Sequence, residues 1–397
     1  SAEKQPIKLS WRKIECLRMK QSVYILACMA FACMFNSCGG NKFISSSGLH
    51  SAHFQQKVDG EKTCLYRIYN KNGVEACITN YGARVVSLMV PDRNGKMEDV
   101  VCGFSDINSY TSQSQNYGAT VGRYIGRILH ARYTMNGKEY HLQANHADGH
   151  TAHGGNPNFG ARMWKARQTS PSSVTLTYLS PDGENGFPGN LHIELTYTVT
   201  EDDALDISYK ATTDKPTVLN LCNHSFFNIS GNLNSSVENQ TMWVDADYFT
   251  PYDSKKCVTG EFWPVESTPL NFKQPHAIGE HINDDYGQLH VVNGYDHAWA
   301  LNHPGDDTRP AAWIYDEKSG RKMEIYTTEP AVHIYTGNGL KGKVEGKNGI
   351  YYPFRGAVCF ETCHFQDSPN NPQFPSTALA PGEIFQSHTM YKFVIEK

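Results

Sequence analysis

A glutamate and a histidine in two otherwise apolar or aromatic stretches are the strongest candidates for chemistry in this chain. Glu361 interrupts the run Val358-Cys359-Phe360-Glu361-Thr362, and a carboxylate is rarely buried unless it is paired or used. Glu361 is therefore either a functional acid–base group or an edge-strand residue that faces water. His224 is framed by asparagine, serine and phenylalanine, so it is either a proton-transfer group near neutral pH or a hydrogen-bonded core residue.

A third segment combines arginine and histidine with glycine. Gly122-Arg-Tyr-Ile-Gly126-Arg127-Ile128 is followed by Ala152-His153-Gly154-Gly155. Either these polar side chains contact a ligand or the glycines form turns, and the pattern is a weak match to a phosphate-binding loop. Nucleotide-binding, zinc-protease, serine-hydrolase and calcium-loop motifs are absent. The 17 histidines are not arranged in pairs with carboxylates that predict a metal site, so we expect no metal.

The elements that must position these residues are strands. Leu191–Val199 alternates apolar and polar residues without a break, and shorter runs around Leu176 and Ile207 repeat the pattern. Asn-Gly pairs at 72–73, 94–95 and 136–137 lie between such runs and predict tight hairpins with two positive φ angles. No long helical periodicity and no linker interrupt residues 63–397, so the sequence predicts one large antiparallel β-sandwich.

Composition agrees with this fold class and limits the partners. Aromatic residues make up 12% of the chain and charged residues only 19%, which is typical of a β-rich globular protein. The net charge of −4 and the absence of a basic run beyond the N-terminus argue against a nucleic-acid partner.

The N-terminal segment has the pattern of an export signal. Basic residues up to Lys20 precede an apolar run from Val23 to Phe35, which is too short to span a bilayer. The run ends before Ser37-Cys38-Gly39, which resembles a bacterial lipoprotein signal whose cysteine is lipidated. Residues 1–38 are thus interpreted as an export segment and residues 39–62 as a tether. Met19 followed by Lys20 is a more ordinary start for a signal, so residues 1–18 are interpreted as not belonging to it. The alternatives are plain secretion and a buried N-terminal helix.

Seven of the 11 cysteines follow Cys38, and their spacing matches neither a zinc site nor a disulfide framework. We expect them to be buried free thiols that act as small hydrophobes, although export would permit a disulfide.

Taken together and in this order, the segments resemble the aldose 1-epimerase (galactose mutarotase) family, whose fold is a large antiparallel β-sandwich. The resemblance extends over nearly all of the chain after Thr63. Further matching segments are Asn80-Tyr-Gly-Ala83, Pro91-Asp-Arg-Asn-Gly-Lys96, Ser180-Pro-Asp-Gly-Glu184, Gly294-Tyr-Asp-His297, Tyr335-Thr-Gly-Asn338 and the tail from Pro375 to Gly382.

The resemblance implies a cofactor-free, exported isomerase that is either periplasmic or anchored to a bacterial membrane through lipid on Cys38. Its substrate would be a small free sugar of the galactose or glucose type. Glu361 matches the family's general base and His224 its acid, whereas Arg127, His153 and Asp296 match sugar-contacting positions.

Three positions depart from the family pattern. Gly126 replaces an asparagine, His333 replaces a glutamine, and Cys363 replaces a glutamine, so we expect the sugar-contacting surface around Gly126 and His333 to be altered. Two alternatives of the same fold stay open: an exported glycoside-processing enzyme, which needs two carboxylates flanking a glycosidic bond, and a non-catalytic sugar-binding protein.

Overall fold

The computed structural model describes residues 42–113 and 115–397. The predicted export segment, with Cys38, lies outside these residues. Strands dominate the described chain and are separated by turns and very short helices. In chain order the strands are β1 Lys57–Val58, β2 Glu61–Lys62, β3 Leu65–Tyr69, β4 Glu75–Thr79, β5 Arg84–Pro91, β6 Met97–Asp99, β7 Ala119–Val121, β8 Arg127–Ile128, β9 Arg132–Met135, β10 Lys138–His141, β11 Thr151–Ala152, β12 Lys165–Ser170, β13 Ser173–Ser180, β14 Leu191–Val199, β15 Ala204–Thr213, β16 Thr217–Val218, β17 Cys222–His224, β18 Thr241–Val244, β19 Ala246–Phe249, β20 Trp263–Pro264, β21 His276–Ala277, β22 Asp296–Leu301, β23 Ala312–Tyr315, β24 Arg321–Thr327, β25 Ala331–Tyr335, β26 Cys359–Cys363, β27 Ala378–Leu379 and β28 Phe385–Ile395.

Helices are few and short, as the lack of a helical period predicts. The α-helices within the described residues are α1 Ile107–Ser112, α2 Ile278–His281 and α3 Gly287–Val292. Single 3₁₀ turns occur at Ser51–Phe54, Leu129–Ala131, Phe159–Ala161, Glu184–Gly186, Lys347–Gly349 and Ser368–Asn370. None of the helices in this part of the chain is long and apolar enough to cross a membrane.

Three antiparallel sheets form the framework. The largest has nine strands in the order β12-β13-β14-β15-β28-β24-β23-β18-β21. The second has five strands in the order β20-β19-β22-β25-β26, and the third is the four-stranded meander β3-β4-β5-β6. Each strand carries apolar side chains on one face at least, so the sheets must cover one another to remove these faces from water.

One hydrophobic cluster fills the space between the sheets. It takes Leu195 and Ile207 from the nine-stranded sheet, Val85 from the four-stranded sheet and Trp299 from the five-stranded sheet, all essentially without solvent exposure. The predicted large antiparallel β-sandwich is therefore confirmed, and its core spans the chain from Ile68 to Phe393.

The predicted strand and turn signals can be compared with individual elements. β14 covers Leu191–Val199, and its odd positions are all buried while the even positions are exposed or half-buried. All three Asn-Gly pairs connect antiparallel neighbours, as predicted. Only Asn136-Gly137 has two positive φ angles (53° and 76°), whereas at the other two turns only the glycine does. Those two loops are longer than two residues, so they need only one left-handed position.

The described part of the predicted tether differs from a free linker. Leu49 and Phe54 are buried and join a second hydrophobic cluster with Leu65 and Tyr110. The segment packs on the domain because these apolar side chains remove more surface from water there than an extended chain would.

The cysteines also differ from the prediction at one position. Cys77, Cys102, Cys222, Cys257, Cys359 and Cys363 are free and buried, in agreement with their predicted role as small hydrophobes. Cys64, in contrast, is disulfide-bonded.

Candidate active site

Glu361 lies at the centre of β26, the last strand of the five-stranded sheet. It is an edge-strand residue by position, but its side chain is only 5% exposed, so it does not face water. Burial raises the pKa of its carboxyl to about 7, and the nearby charge of His333 acts in the opposite direction. A carboxyl with this pKa is half ionised near neutral pH, which suits a general base.

His224 is the last residue of β17, which pairs with β7 and places His224 opposite Ala119. Its Nε2 atom lies 3.4 Å from Oε1 of Glu361. The ring stacks on Phe226, with centroids 5.0 Å apart, and meets His153 edge-on at 6.0 Å. Burial, and then the proximity of His153, lower the pKa of His224 to about 3, so the imidazole is neutral at pH 7.

Asp296 and His333 form a second pair beside the first. Nε2 of His333 lies 2.7 Å from Oδ1 of Asp296, and β25 places His333 directly opposite Glu361. Burial by itself lowers the pKa of His333, but the hydrogen bond to Asp296 and the charge of that carboxylate outweigh it and raise the pKa. Burial likewise favours the neutral form of Asp296, yet the hydrogen bond and charge of His333 leave its pKa lowered. The two groups therefore favour an ion pair.

Arg127 and His153 come together because β8 pairs with β11. Arg127 lies opposite Ala152, and the backbone N–H of His153 donates to the carbonyl of Gly126 over 2.8 Å. The guanidinium of Arg127 donates to the carbonyl of Lys256 and lies 3.4 Å from Nε2 of His146. These contacts fix the guanidinium of Arg127, which lines a cavity that also contains His224 and Glu361.

A cavity of about 400 Å³ contains all of the residues that the sequence predicts for the site. Gly126, Arg127, His153, His224, Asp296, His333 and Glu361 line its wall, together with Cys363. A larger and more open groove of about 710 Å³ runs over the outer face of β13, β14 and β15, and none of these residues borders it. The smaller cavity is therefore the candidate active site, since convergent polar groups with shifted pKa values mark such sites.

His224 and Glu361 also lie within reach of a thiol. His224, Cys359 and Glu361 each present a possible ligand atom, and the three atoms lie within 4.8 Å of one another. Nitrogen, sulfur and oxygen donors of this kind are able to hold a transition metal, although the sequence predicts no metal site.

Comparison with known proteins gives the site its context. The family model described as aldose 1-epimerase matches residues 65–392. Galactose mutarotase of Mus musculus is 37% identical over 318 residues, which is 80% of this chain and 90% of the mouse protein. Aldose 1-epimerase of Escherichia coli K12 is 32% identical over 340 residues, 85% of this chain and 97% of its own.

The chain belongs to the aldose 1-epimerase family. Like the enzymes of that family, it is an isomerase that interconverts the α and β anomers of a free aldose. Solved structures agree with the fold: an aldose epimerase homologue from C. elegans superposes with a TM-score of 0.78 at 29% identity, covering 84% of this chain and all of that one. The galactose 1-epimerase of Lactobacillus acidophilus gives 0.75 at 26% identity, covering 86% of this chain and 97% of its own.

The two alternatives to an aldose 1-epimerase are not favoured. A glycoside-processing enzyme needs two carboxyls that flank a glycosidic bond. The family model and the relatives that match this chain are instead named aldose 1-epimerase and galactose mutarotase. A non-catalytic sugar-binding protein would have no need for the close contact between His224 and Glu361.

Several cavity residues of this aldose 1-epimerase were not identified by sequence reasoning. Tyr252, Lys256, His146 and Gln366 line the same wall as Arg127. No motif marks the first three, because they come from loops whose path depends on the fold. Gln366 follows Glu361 closely along the chain, and that proximity is the only sequence signal by which it could have been found.

Proposed function

We propose that the cavity is the active site of this epimerase, with Glu361 as the general base and His224 as the proton donor. The observation that carries the proposal is the 3.4 Å separation between Nε2 of His224 and Oε1 of Glu361 inside a buried, sugar-sized cavity. Arg127, His153, Asp296 and His333 surround this pair and would hold the sugar hydroxyls by hydrogen bonds, of which those to charged groups are the stronger.

The chemistry follows from these positions. The carboxylate of Glu361 removes the proton from the anomeric O1 hydroxyl, the O1–H electrons form the C1=O1 double bond, and the C1–O5 bond breaks. His224 donates a proton to O5. His224 is neutral because its pKa is low, but a neutral imidazole still carries one N–H; passing that proton to O5 leaves an imidazolate until ring closure returns it.

Ring closure reverses the proton transfers. After C1 turns about the C1–C2 bond, O5 attacks the opposite face of the carbonyl. His224 takes its proton back from O5, and Glu361 returns a proton to O1. The enzyme ends in its starting protonation state, and no electrons leave the sugar, so the reaction requires no redox cofactor.

Galactose and glucose are the proposed substrates. The names of the mammalian relatives, galactose mutarotases, support galactose. Polarimetry of freshly dissolved α-galactose and α-glucose tests the proposal, and we expect the purified protein to accelerate the approach to anomeric equilibrium. Rates equal to those in buffer for both sugars and for other common aldoses would exclude this substrate class.

We also propose that the enzyme is exported and anchored through lipid on Cys38. The basic and apolar pattern before Cys38 supports export. Growth of the producing bacterium with labelled palmitate is expected to label the protein, and Cys38→Ser should prevent labelling. An unlabelled wild-type protein in the periplasmic fraction would contradict the anchor and leave export intact.

A further inference from the structure

The side chain of Gln366 occupies the space beside Gly126. Gly126 has a φ of +76°, and a Cβ atom added there would lie 2.3 Å from Cγ of Gln366 and 2.8 Å from its Cδ. Such distances are far inside van der Waals contact, so this arrangement has room for only one of the two side chains. The close approach of Gln366 excludes a side chain at position 126, and the left-handed backbone there favours glycine and, after it, asparagine.

Two hydrogen bonds hold the carboxamide of Gln366 in place. The backbone N–H of Arg127 donates to its Oε1 over 3.2 Å, and its Nε2 donates to the hydroxyl of Tyr252 over 2.9 Å. Arg127, Tyr252 and Gln366 all line the cavity that contains Glu361. The amide group is thus fixed at the cavity wall before any sugar arrives.

The fixed amide retains capacity for further bonds. A carboxamide has two donor hydrogens and two acceptor lone pairs, and the contacts with described residues use one of each. A hydroxyl also donates and accepts, so a neutral amide can bind it in either direction without bringing a charge into the cavity. Gln366 is only partly buried and borders the cavity, so these groups are accessible to a ligand there.

We propose that Gln366 is a sugar-binding residue of this enzyme. From its position three residues after the end of β26, it supplies the carboxamide that the chain lacks at Gly126. The proposal rests on the function proposed above, because it requires the sugar to occupy this cavity. Where the family pattern has an asparagine, this chain has a glycine with the glutamine side chain of Gln366 packed against it. The hydroxyl that it binds lies on the Arg127 side of the sugar.

The first experiment removes the amide and keeps the volume. Gln366→Met is nearly isosteric, so the space beside Gly126 stays filled while the hydrogen bonds to a sugar are lost. We expect KM in the polarimetric assay to rise by roughly three- to tenfold, the effect of one neutral hydrogen bond, with kcat within about twofold of wild type. Gln373→Ala is the matched control: Gln373 lies on the same segment, donates to the carbonyl of Gly260 and does not line the cavity, so its KM should be unchanged.

The second experiment exchanges the two side chains. Gly126→Asn alone should displace Gln366 and raise KM, because the two side chains collide. Gly126→Asn combined with Gln366→Ala should bring KM back toward the wild-type value, since the space is then free and an amide is again present. Gln366→Ala alone should keep a raised KM, so a lower KM in the double variant than in Gln366→Ala reports the restored amide and not only the relief of the collision.

The outcomes separate the two proposals. An inactive wild-type protein would refute the proposed function. An active wild type with a Gln366→Met variant of unchanged KM would refute the role of Gln366 alone. A fall in kcat at unchanged KM, or a double variant worse than both single ones, would mean that Gln366 only braces the loop between Arg127 and Tyr252, and would also overturn the proposal.

Discussion

Nε2 of His224 and Oε1 of Glu361 are 3.4 Å apart, although the two residues belong to different sheets and to distant parts of the chain. β17 carries His224 against β26 from outside the five-stranded sheet, so the edge position of β26 is covered and its glutamate is buried. The proposed proton-transfer pair is thus a product of strand packing between sheets.

Replacement of the proposed base by its amide should stop catalysis without emptying the cavity. We expect Glu361→Gln to lower kcat by roughly 10²–10⁴-fold, the usual contribution of one positioned proton transfer, with sugar binding retained. Glu329→Gln is a matched control, because Glu329 is also a buried glutamate beside a histidine, with Nδ1 of His364 2.7 Å from its Oε2. Polarimetry and calorimetric binding measure the two effects, and near-wild-type turnover in Glu361→Gln would remove Glu361 from the mechanism.

His224→Gln should lower kcat by a similar factor while leaving the anomeric O1 proton within reach of Glu361. The double variant with Glu361→Gln should be little slower than either single one, because the two groups act in one concerted step and their effects do not add. Additive losses would indicate two independent contributions.

The activity of the wild type should fall on the acid side of neutrality. Burial raises the pKa of Glu361 to about 7, and only the ionised carboxylate accepts the O1 proton. Below that pH, kcat/KM should therefore decrease by about tenfold for each pH unit, and above it the profile should be flat until another group titrates. A profile that is flat between pH 5 and pH 8 would exclude Glu361 as the titrating base.

His333→Gln should move this acid limb to higher pH. The charge of His333 lowers the pKa of Glu361, so its loss makes the carboxyl harder to ionise. The other charged and titratable groups around His333 and Glu361 are Asp296, His153, His224, Arg127 and Cys222. His364→Gln is the control, since His364 borders the cavity but bonds to Glu329, and its acid limb should stay in place. An unshifted limb in His333→Gln, with only a lower rate, would contradict an electrostatic role.

A separate cluster should make stability depend on pH. Nε2 and Nδ1 of His388 lie 2.5 Å and 2.6 Å from carboxylate oxygens of Asp206 and Asp307, and the hydrogen bond to Asp206 is the main reason that its pKa is raised to about 9. A raised histidine pKa stabilises the fold fully below its unfolded value near 6.5, and this contribution is lost as the pH rises through 9.

His388→Gln should thus cost roughly 2 kcal/mol of unfolding free energy at pH 6, after allowance for solvent screening, and much less at pH 10. Urea unfolding at both pH values measures the difference. An equal deficit at pH 6 and pH 10 would mean that packing, rather than the ion pair, accounts for the loss.

Local patterns in the sequence determined much of the architecture. The alternation from Leu191 to Val199 specifies a strand with one buried face, because side chains alternate across a strand whatever lies beside it. Asn136-Gly137 specifies a tight hairpin because these residues accept positive φ. The apolar run around Glu361 left two interpretations of this residue, a buried functional carboxylate or an edge residue that faces water. The family resemblance then matched both Glu361 and His224 to the family's motifs.

Tertiary structure alone decided which of these residues meet. Periodicity states which face of a strand is buried, but not which strand lies next to it, so neither the contact of His224 with Glu361 nor the ion pair of His333 with Asp296 follows from local pattern. The same limit applies at Gly126: the sequence indicates that an amide is missing there, and only the packing of two distant segments places Gln366 in the vacated space. Contacts between residues far apart in the chain depend on register and sheet order, which the whole core determines together.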